Sequence, residues 1–368
     1  MRILDRLIGK ELVWPFLFGV AAFTSLFFAG QNLLKLTTQV LQGMPVMAAV
    51  ELVVLSLPSV IVYTLPMSAL LAVLVGFSRL SNDSEILALY ASGISLYRTM
   101  VPVVALGVIV TGLSFGLTEF VVPGSNRLSQ AIQAHVLKEE ISTSKPFVVI
   151  DRKTNSTIYV RGGLDAKTRT MHDVTITRYS DDMPALIFQA RGARWLGETW
   201  KGENNWALYD GSMYELSPKG SSVAATFQGM ETRSVQIGES PEEIARYQRG
   251  PEDMSFRELR RSIADLARGG VPPDQLLDFE VELYNKLAIP FAALVFALIG
   301  APLAIRPARG GTAVGIGLSV LIIFAYWFLW HFTTALAMQG SMPPVLGAFT
   351  ADVLGLMLGM ILLARTAK

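Results

Sequence analysis

The sequence predicts an α-helical membrane protein with six transmembrane helices and an inserted all-β, jelly-roll-like domain between helices three and four. Three observations predict it. The chain of 368 residues is 51% hydrophobic and only 17% charged. Its apolar residues gather in long uncharged blocks at both ends, with most of the charge in the middle. That is the pattern of membrane segments around a soluble insert. Inside the insert, short runs rich in β-branched and aromatic residues are separated by Gly, Asp, Asn, Ser and Pro, the signature of an antiparallel sandwich or jelly roll.

Crossing ~30 Å of hydrocarbon takes about 20 apolar residues in a helix. Six blocks qualify, roughly Leu12 to Leu36, Leu52 to Ser78, Thr99 to Val122, Leu287 to Ile305, Thr312 to Met338 and Pro344 to Ala364. The basic start "MRILDRLIGK" resembles a signal peptide. However, the run that follows, Leu12 to Leu34, is long enough to span, and no A-x-A-like site comes after it, so it reads as a retained helix. Pro15 falls in the first turn of span one, where proline is tolerated. Pro58 and Pro66 fall inside span two and predict a kink there.

Lys and Arg in short loops set the orientation. Arg2, Arg6 and Lys10 precede span one, Arg79 and Arg98 flank the loop after span two, Arg306 and Arg309 follow span four, and Arg365 and Lys368 end the chain. The loops Thr37 to Val50 and Gln339 to Pro343 contain neither Lys nor Arg. With six spans all the basic segments fall on one side. Both termini are then expected in the cytoplasm, and the insert on the outer side.

The strands of the insert are expected between Lys145 and Ile237, in segments such as "STIYVRG", "MHDVTITRY" and "NWALYDGSMYEL". A helix should follow in "MSFRELRRSIADLARGG", with Ser255 and Glu258 as a capping box and Gly269 as C-cap. The stretch Ser125 to Glu140 also reads as helical. The organisation expected is membrane helices over 1–123, a β domain over 124–250, a helical connector over 251–286 and membrane helices over 287–368. With no cysteine in the chain, the insert must fold on core burial alone.

Several chemistries are excluded. The net charge of +1 argues against a nucleic-acid partner driven by bulk charge. Without cysteine there is no thiol catalysis or thiolate metal site. No G-x-x-x-x-G-K-[ST] is present, so ATP is not hydrolysed at a Walker site. The three histidines, His135, His172 and His331, are far apart, and no H-E-x-x-H occurs. Gly112 to Gly116 matches G-x-S-x-G, but it lies in an apolar helix instead of a strand–turn–helix elbow. It fits small-residue helix packing as well, as does Gly355 to Gly359.

Two places hold polar residues that ask for a partner. In "SNDSEILALYASG", Asn82 reads as an N-cap with Glu85 three residues on, Asp83 and Glu85 suit the positive end of a helix dipole, and Gly93 stops the helix. A helix of about ten residues is marginal alone in water, so it makes sense as a docked element. In the last two spans, Asp352 and His331 lie at similar distances from the loop at 339–343. Buried ionisable groups in membranes usually find partners, so a His331–Asp352 hydrogen bond is expected.

The order of elements, with "LDRLIGKEL" at the start, "LPMSALLAVLVGFSRLSNDSEILALYASGIS" across span two and its loop, and "KLAIPFAALVFALIGAPLAI" in span four, closely resembles the LptF/LptG (YjgP/YjgQ) permease family of the lipopolysaccharide-export ABC transporter. The resemblance covers essentially the whole chain. It implies a multi-pass protein of the bacterial inner membrane with a periplasmic β domain. Its partners would be a second LptF/LptG-type permease, a cytoplasmic ABC ATPase dimer, and periplasmic bridge proteins of LptC/LptA type. The substrate would be lipopolysaccharide, squeezed upward from a cavity that the two permeases share. No cofactor would bind this chain directly, since ATP is used by the partner subunit. The helix at about 82–92 would be a coupling helix docked on the ATPase through Asp83, Ser84, Glu85, Ile86, Leu87, Leu89 and Tyr90. Lys35, with Asn32 beside it, would meet the lipid headgroup at the cavity mouth. The rival readings are a permease that releases lipoproteins and a membrane-anchored β-domain binding or scaffold protein. The capped loop helix and the proline-bearing second span argue instead for a moving, energised protein.

Overall fold

The structure is a computed structural model that describes residues 2–31, 37–38, 40–41, 44–137, 146–151, 154–165, 168–180, 183–198, 204–217, 220–227, 233–237, 250–268, 273–305 and 311–366. In chain order its helices are α1 (Arg2–Gln31), α2 (Val46–Asn82), α3 (Glu85–Ala91), α4 (Leu96–Gly116) and, after a π-helical turn at Leu117–Val121, α5 (Val122–Leu137). The strands follow: β1 (Phe147–Asp151), β2 (Ser156–Val160), β3 (Leu164–Asp165), β4 (Thr170–Ser180), β5 (Met183–Glu198), β6 (Asn204–Ser217), β7 (Gly220–Phe227) and β8 (Arg233–Ile237). The chain closes with α6 (Phe256–Arg268), α7 (Leu277–Ile305), α8 (Gly311–Met338) and α9 (Pro344–Thr366). It divides into two compact units, Met1–Ser125 with Val281–Lys368, and Asn126–Glu280.

Among the described residues six helices are long and apolar enough to cross a membrane. Two of them extend well beyond what hydropathy alone marks. Span two is Val46–Asn82 instead of Leu52 to Ser78, and the helix of span four starts at Leu277 instead of Leu287. Hydropathy registers only the part that matches the lipid, whereas the i to i−4 ladder continues through polar residues until something stops it. Pro58 and Pro66 both lie within the single continuous helix α2.

In the first unit α2 and α7 are central, with 83% and 72% of their most apolar stretch buried, against 11–28% for the other four spans. A helix that is hydrophobic all round belongs inside a bundle, and α2 is the clear case. Its Leu70, Val73, Leu74 and Phe77 are fully buried and pack in one cluster with Ile8 and Leu12 of α1 and Phe296 and Ala301 of α7. Small residues set how closely the helices approach. A Cβ on Gly107 would lie 3.0 Å from the Cα of Leu294, and one on Gly355 would lie 2.5 Å from Val295 Cγ1. Gly112 and Gly116 face open space. Of the two glycine pairs singled out in the sequence, only Gly355 and Gly359 therefore pack against a neighbouring helix. The helix around Ser114 also bears out the rejection of an esterase elbow, since its Oγ simply donates to the Val62 carbonyl at 3.4 Å.

In the second unit the strands form one antiparallel eight-stranded sheet, ordered β1-β2-β4-β5-β6-β7, with β3 also on β4 and β8 also on β6. Asp173 and Asp210, both at φ +50°, mark where β4 and β6 exchange one edge partner for the next. The core comprises Phe147, Ile158, Leu164, Met171, Trp206 and Ile237 with their neighbours. Behind it, Ser255 and Glu258 form the expected reciprocal capping box, Glu258 N to Ser255 Oγ at 3.2 Å and Ser255 N to Glu258 Oε2 at 3.1 Å. Gly269, its expected C-cap, lies outside the described residues. Asn126 and Gln130 of α5 each donate to Asp253 at 2.7 Å, and Arg127 pairs with Glu258. The Tyr159 ring meets Phe279 edge-on at 5.9 Å, and burial, helped by the Asp278 carboxylate, pushes its phenol up to about 12.

Candidate functional site

The short helix α3 stands where α2 ends and α4 begins. Its start departs from the sequence reading. Asn82 does not cap it, because α2 continues through Asn82 and Asp83 closes that helix, its N–H donating to the Arg79 carbonyl at 2.9 Å while the next N–H, of Ser84, donates to the Ser81 carbonyl at 3.1 Å. Ser84 is the N-cap, in left-handed geometry at φ 60° and ψ 11°, and it makes no side-chain cap bond. A non-glycine residue at positive φ is uncommon and persists when its surroundings hold it. Here the two-residue turn between consecutive helices is the constraint, and it overrides the capping box. The end is as the sequence suggests. Gly93, at φ 86°, donates to Tyr90 O at 3.0 Å, and Ile94 N donates to Leu89 O at 3.1 Å, which is a Schellman stop.

The two faces of α3 differ. Ile86 is 4% exposed and belongs to the core cluster of the bundle, and Tyr90 packs against that cluster. Burial pushes the Tyr90 phenol up. Ile86, and Tyr90 in part, thus anchor the helix to its own chain. Asp83, Ser84, Glu85 and Leu87 are exposed, Leu87 by 69%, and Leu89 is half-buried. The outward surface is therefore an acidic and small-polar edge beside one exposed leucine.

Polar ties frame this helix. Arg98 donates from Nη1 and Nη2 to the two oxygens of Asp5 at 2.6 and 2.7 Å, joining the first turn of α4 to the first turn of α1. Such fork-on-fork geometry fixes direction as well as distance. Arg79 reaches Glu11 at 3.3 Å and Asp83 at 3.9 Å. Ser81 Oγ donates to the Ile305 carbonyl at 3.3 Å, tying the end of α2 to the end of α7. These contacts join the ends of α1, α2, α4 and α7 around α3. Sequence reasoning used Arg79 and Arg98 only as orientation charges and missed their acidic partners. An acid in the first turns of span one, at Asp5 and again at Glu11, was the available signal.

The other expected sites fare differently. Lys35 and Asn32 lie outside the described residues. Asp352 is buried and accepts a hydrogen bond from Tyr326 Oη at 2.8 Å, so its partner is Tyr326 and not His331. The rotation of α8 explains this, since it buries Tyr326 against Asp352 and leaves His331 exposed. His331 is exposed, its ring tilted against Trp327 and set edge-on to Trp330.

Six apolar helices, an inserted antiparallel sheet and a loop helix keyed into the bundle describe a multi-pass membrane protein. Residues 6–365 match the family model "Lipopolysaccharide export system permease LptF/LptG". The chain belongs to this family, and it is a lipopolysaccharide-export permease and not a catalytic enzyme. A comparison with curated proteins gives no match.

Proposed function

We propose that the chain is the permease subunit of an ABC transporter that extracts lipopolysaccharide from the inner membrane and hands it to a periplasmic bridge. A separate cytoplasmic ATPase powers it, and this chain binds no nucleotide. The observation that carries the coupling role is the two-faced α3: Ile86 is sunk in the bundle core while Glu85 and Leu87 face outward. An element that is anchored inward and free outward passes a partner's movement into the spans. The distribution of Lys and Arg supports a cytoplasmic α3, cytoplasmic termini and a β domain on the periplasmic side. A second LptF/LptG-type permease completes the cavity. Lys35 and Asn32 stay the candidates for the lipid headgroup at its mouth. The β domain continues into bridge proteins of LptC/LptA type.

The test is Glu85→Ala in the transporter reconstituted with its ATPase and partner permease. ATP hydrolysis should persist while lipopolysaccharide release from proteoliposomes falls by about tenfold or more, as truncation of a contact hot spot costing ~2 kcal/mol implies. Thermal stability should move by no more than about 0.5 kcal/mol, because Glu85 is exposed. Undiminished release at normal assembly would remove the coupling role.

A further inference from the structure

The connector helix α6 carries a surface that the export reading leaves unused. Its exposed residues are Arg257, Arg260, Arg261, Ala264, Ala267 and Arg268. At about 100° per residue they fill one arc of about 120°, which holds four arginines, two alanines and no acid. The opposite side is already taken. Leu259 and Leu266 are buried, and the Asp265 carbonyl accepts a hydrogen bond from Tyr179 Oη at 3.3 Å. The helix therefore has no free apolar face to sink into lipid, and the arginines look outward. The acids on its flank are engaged, Glu258 by Arg127 and the capping box, Asp265 by Arg268 at 3.7 Å. Arg260 and Arg261 pair with no acid among the described residues. Arg257 lies three residues before Arg260 and four before Arg261, spacings at which like charges repel. The turn that leads into α6 is also fastened near the end of a span. Asn126 and Gln130 of α5 donate to Asp253, and they lie four and eight residues past Val122, where the apolar block of span three ends. In a continuous helix that is about 6 and 12 Å along the axis, the level of the ~5–8 Å headgroup layer and the water just above it.

We propose that the arginine face of α6 docks on the anionic phospholipid surface of the membrane that this chain spans, with Arg260 and Arg261 making the main contact. Guanidinium groups hold phosphate oxygens through pairs of parallel hydrogen bonds, and the two small alanines leave the arginines room to reach a flat surface. An acidic protein would satisfy the same charges, but the attachment to α5 favours the bilayer, because it ties α6 to the end of a span. The contact is electrostatic and reversible, and it steadies the β insert over the headgroups. The proposal rests on the membrane spans and not on the export reading. The lipids concerned are the surrounding phospholipids, not the exported one.

The chain has no cysteine, so Ala264→Cys gives it one labelling position in the middle of the arginine face. The full chain in its purified membrane assembly, labelled there with a fluorophore, is placed in phosphatidylcholine nanodiscs with or without phosphatidylglycerol. Both kinds of disc carry the same fraction of phosphatidylcholine with a nitroxide on its headgroup. Quenching is read against the assembly that lacks the new cysteine. At ~1 kcal/mol for each basic side chain near an anionic surface, Arg260 and Arg261 together should raise the docked-to-undocked ratio about thirtyfold in the phosphatidylglycerol discs. Raising salt from about 0.1 to about 1 M should erase the difference. Arg260→Glu combined with Arg261→Glu should erase it too, and the paired substitutions to Lys should keep it. Both arginines are exposed, so these variants should leave the fold intact. Equal quenching in the two discs would overturn the assignment, as would a difference that survives the paired substitutions to Glu. So would quenching that rises only when lipopolysaccharide replaces phosphatidylglycerol, since the face would then belong to the exported lipid.

Discussion

Trp206 in the β insert is fully buried, whereas Trp14 in α1 is largely exposed. The contrast extends to each unit. The insert closes Phe147, Ile158, Leu164 and Ile237 into one core, while the bundle turns Phe18, Leu321, Phe324 and Phe328 outward. The two units answer to different solvents. In water, burial of apolar area drives the fold. In lipid an outward Phe costs nothing, so cohesion comes from close packing, small residues and the few polar pairs inside. The insert should therefore fail by losing volume and the bundle by gaining it.

The largest expected effect is Trp206→Ala. It should destabilise the insert by about 3–5 kcal/mol, as loss of a large buried aromatic does, with loss of near-ultraviolet circular dichroism in the full chain. Next comes Gly355→Val, whose new Cβ would sit 2.5 Å from Val295 Cγ1. Overpacking of this kind costs about 1–3 kcal/mol and should lower the thermal midpoint of the detergent-solubilised protein. Gly112→Val, which points into open space, should leave that midpoint nearly unchanged. Equal effects at the two glycines would break the comparison. A loss smaller than those at Trp206 and Gly355 is expected for Ser255→Ala, which removes one half of the capping box on α6 and should cost about 1 kcal/mol in denaturant unfolding followed by far-ultraviolet circular dichroism.

Within the short helix the same division of surfaces appears at the scale of one turn. Ile86 and Tyr90 face the bundle and Glu85 and Leu87 do not. From "SEILALY" alone all four read as one docking surface, because seven residues give too few turns for periodicity to separate an inner face from an outer one. The capping residue failed for a related reason. Asn82 and Glu85 have capping-box spacing, but nothing in the spacing says that α2 is still helical at Asn82. At Ser255 and Glu258 the same spacing was right, because the residues before it, Gly250 to Met254, are not part of a long helix.

Alone, the amino-acid sequence determined the six spans, the place of the β insert, the loop helix with its Gly93 stop, the Ser255 cap and the family. These depend on composition, periodicity and turn chemistry, which act between residues close along the chain. Tertiary structure alone decided that Asp352 pairs with Tyr326, that Asp5 and Glu11 meet Arg98 and Arg79, that Gly355 and not Gly112 lies against a neighbour, and which side of α3 is buried. Each of those depends on the rotation and register of one helix against another. A shift of a single residue turns a helical side chain by about 100°, and hydropathy along a uniformly apolar span does not record that angle.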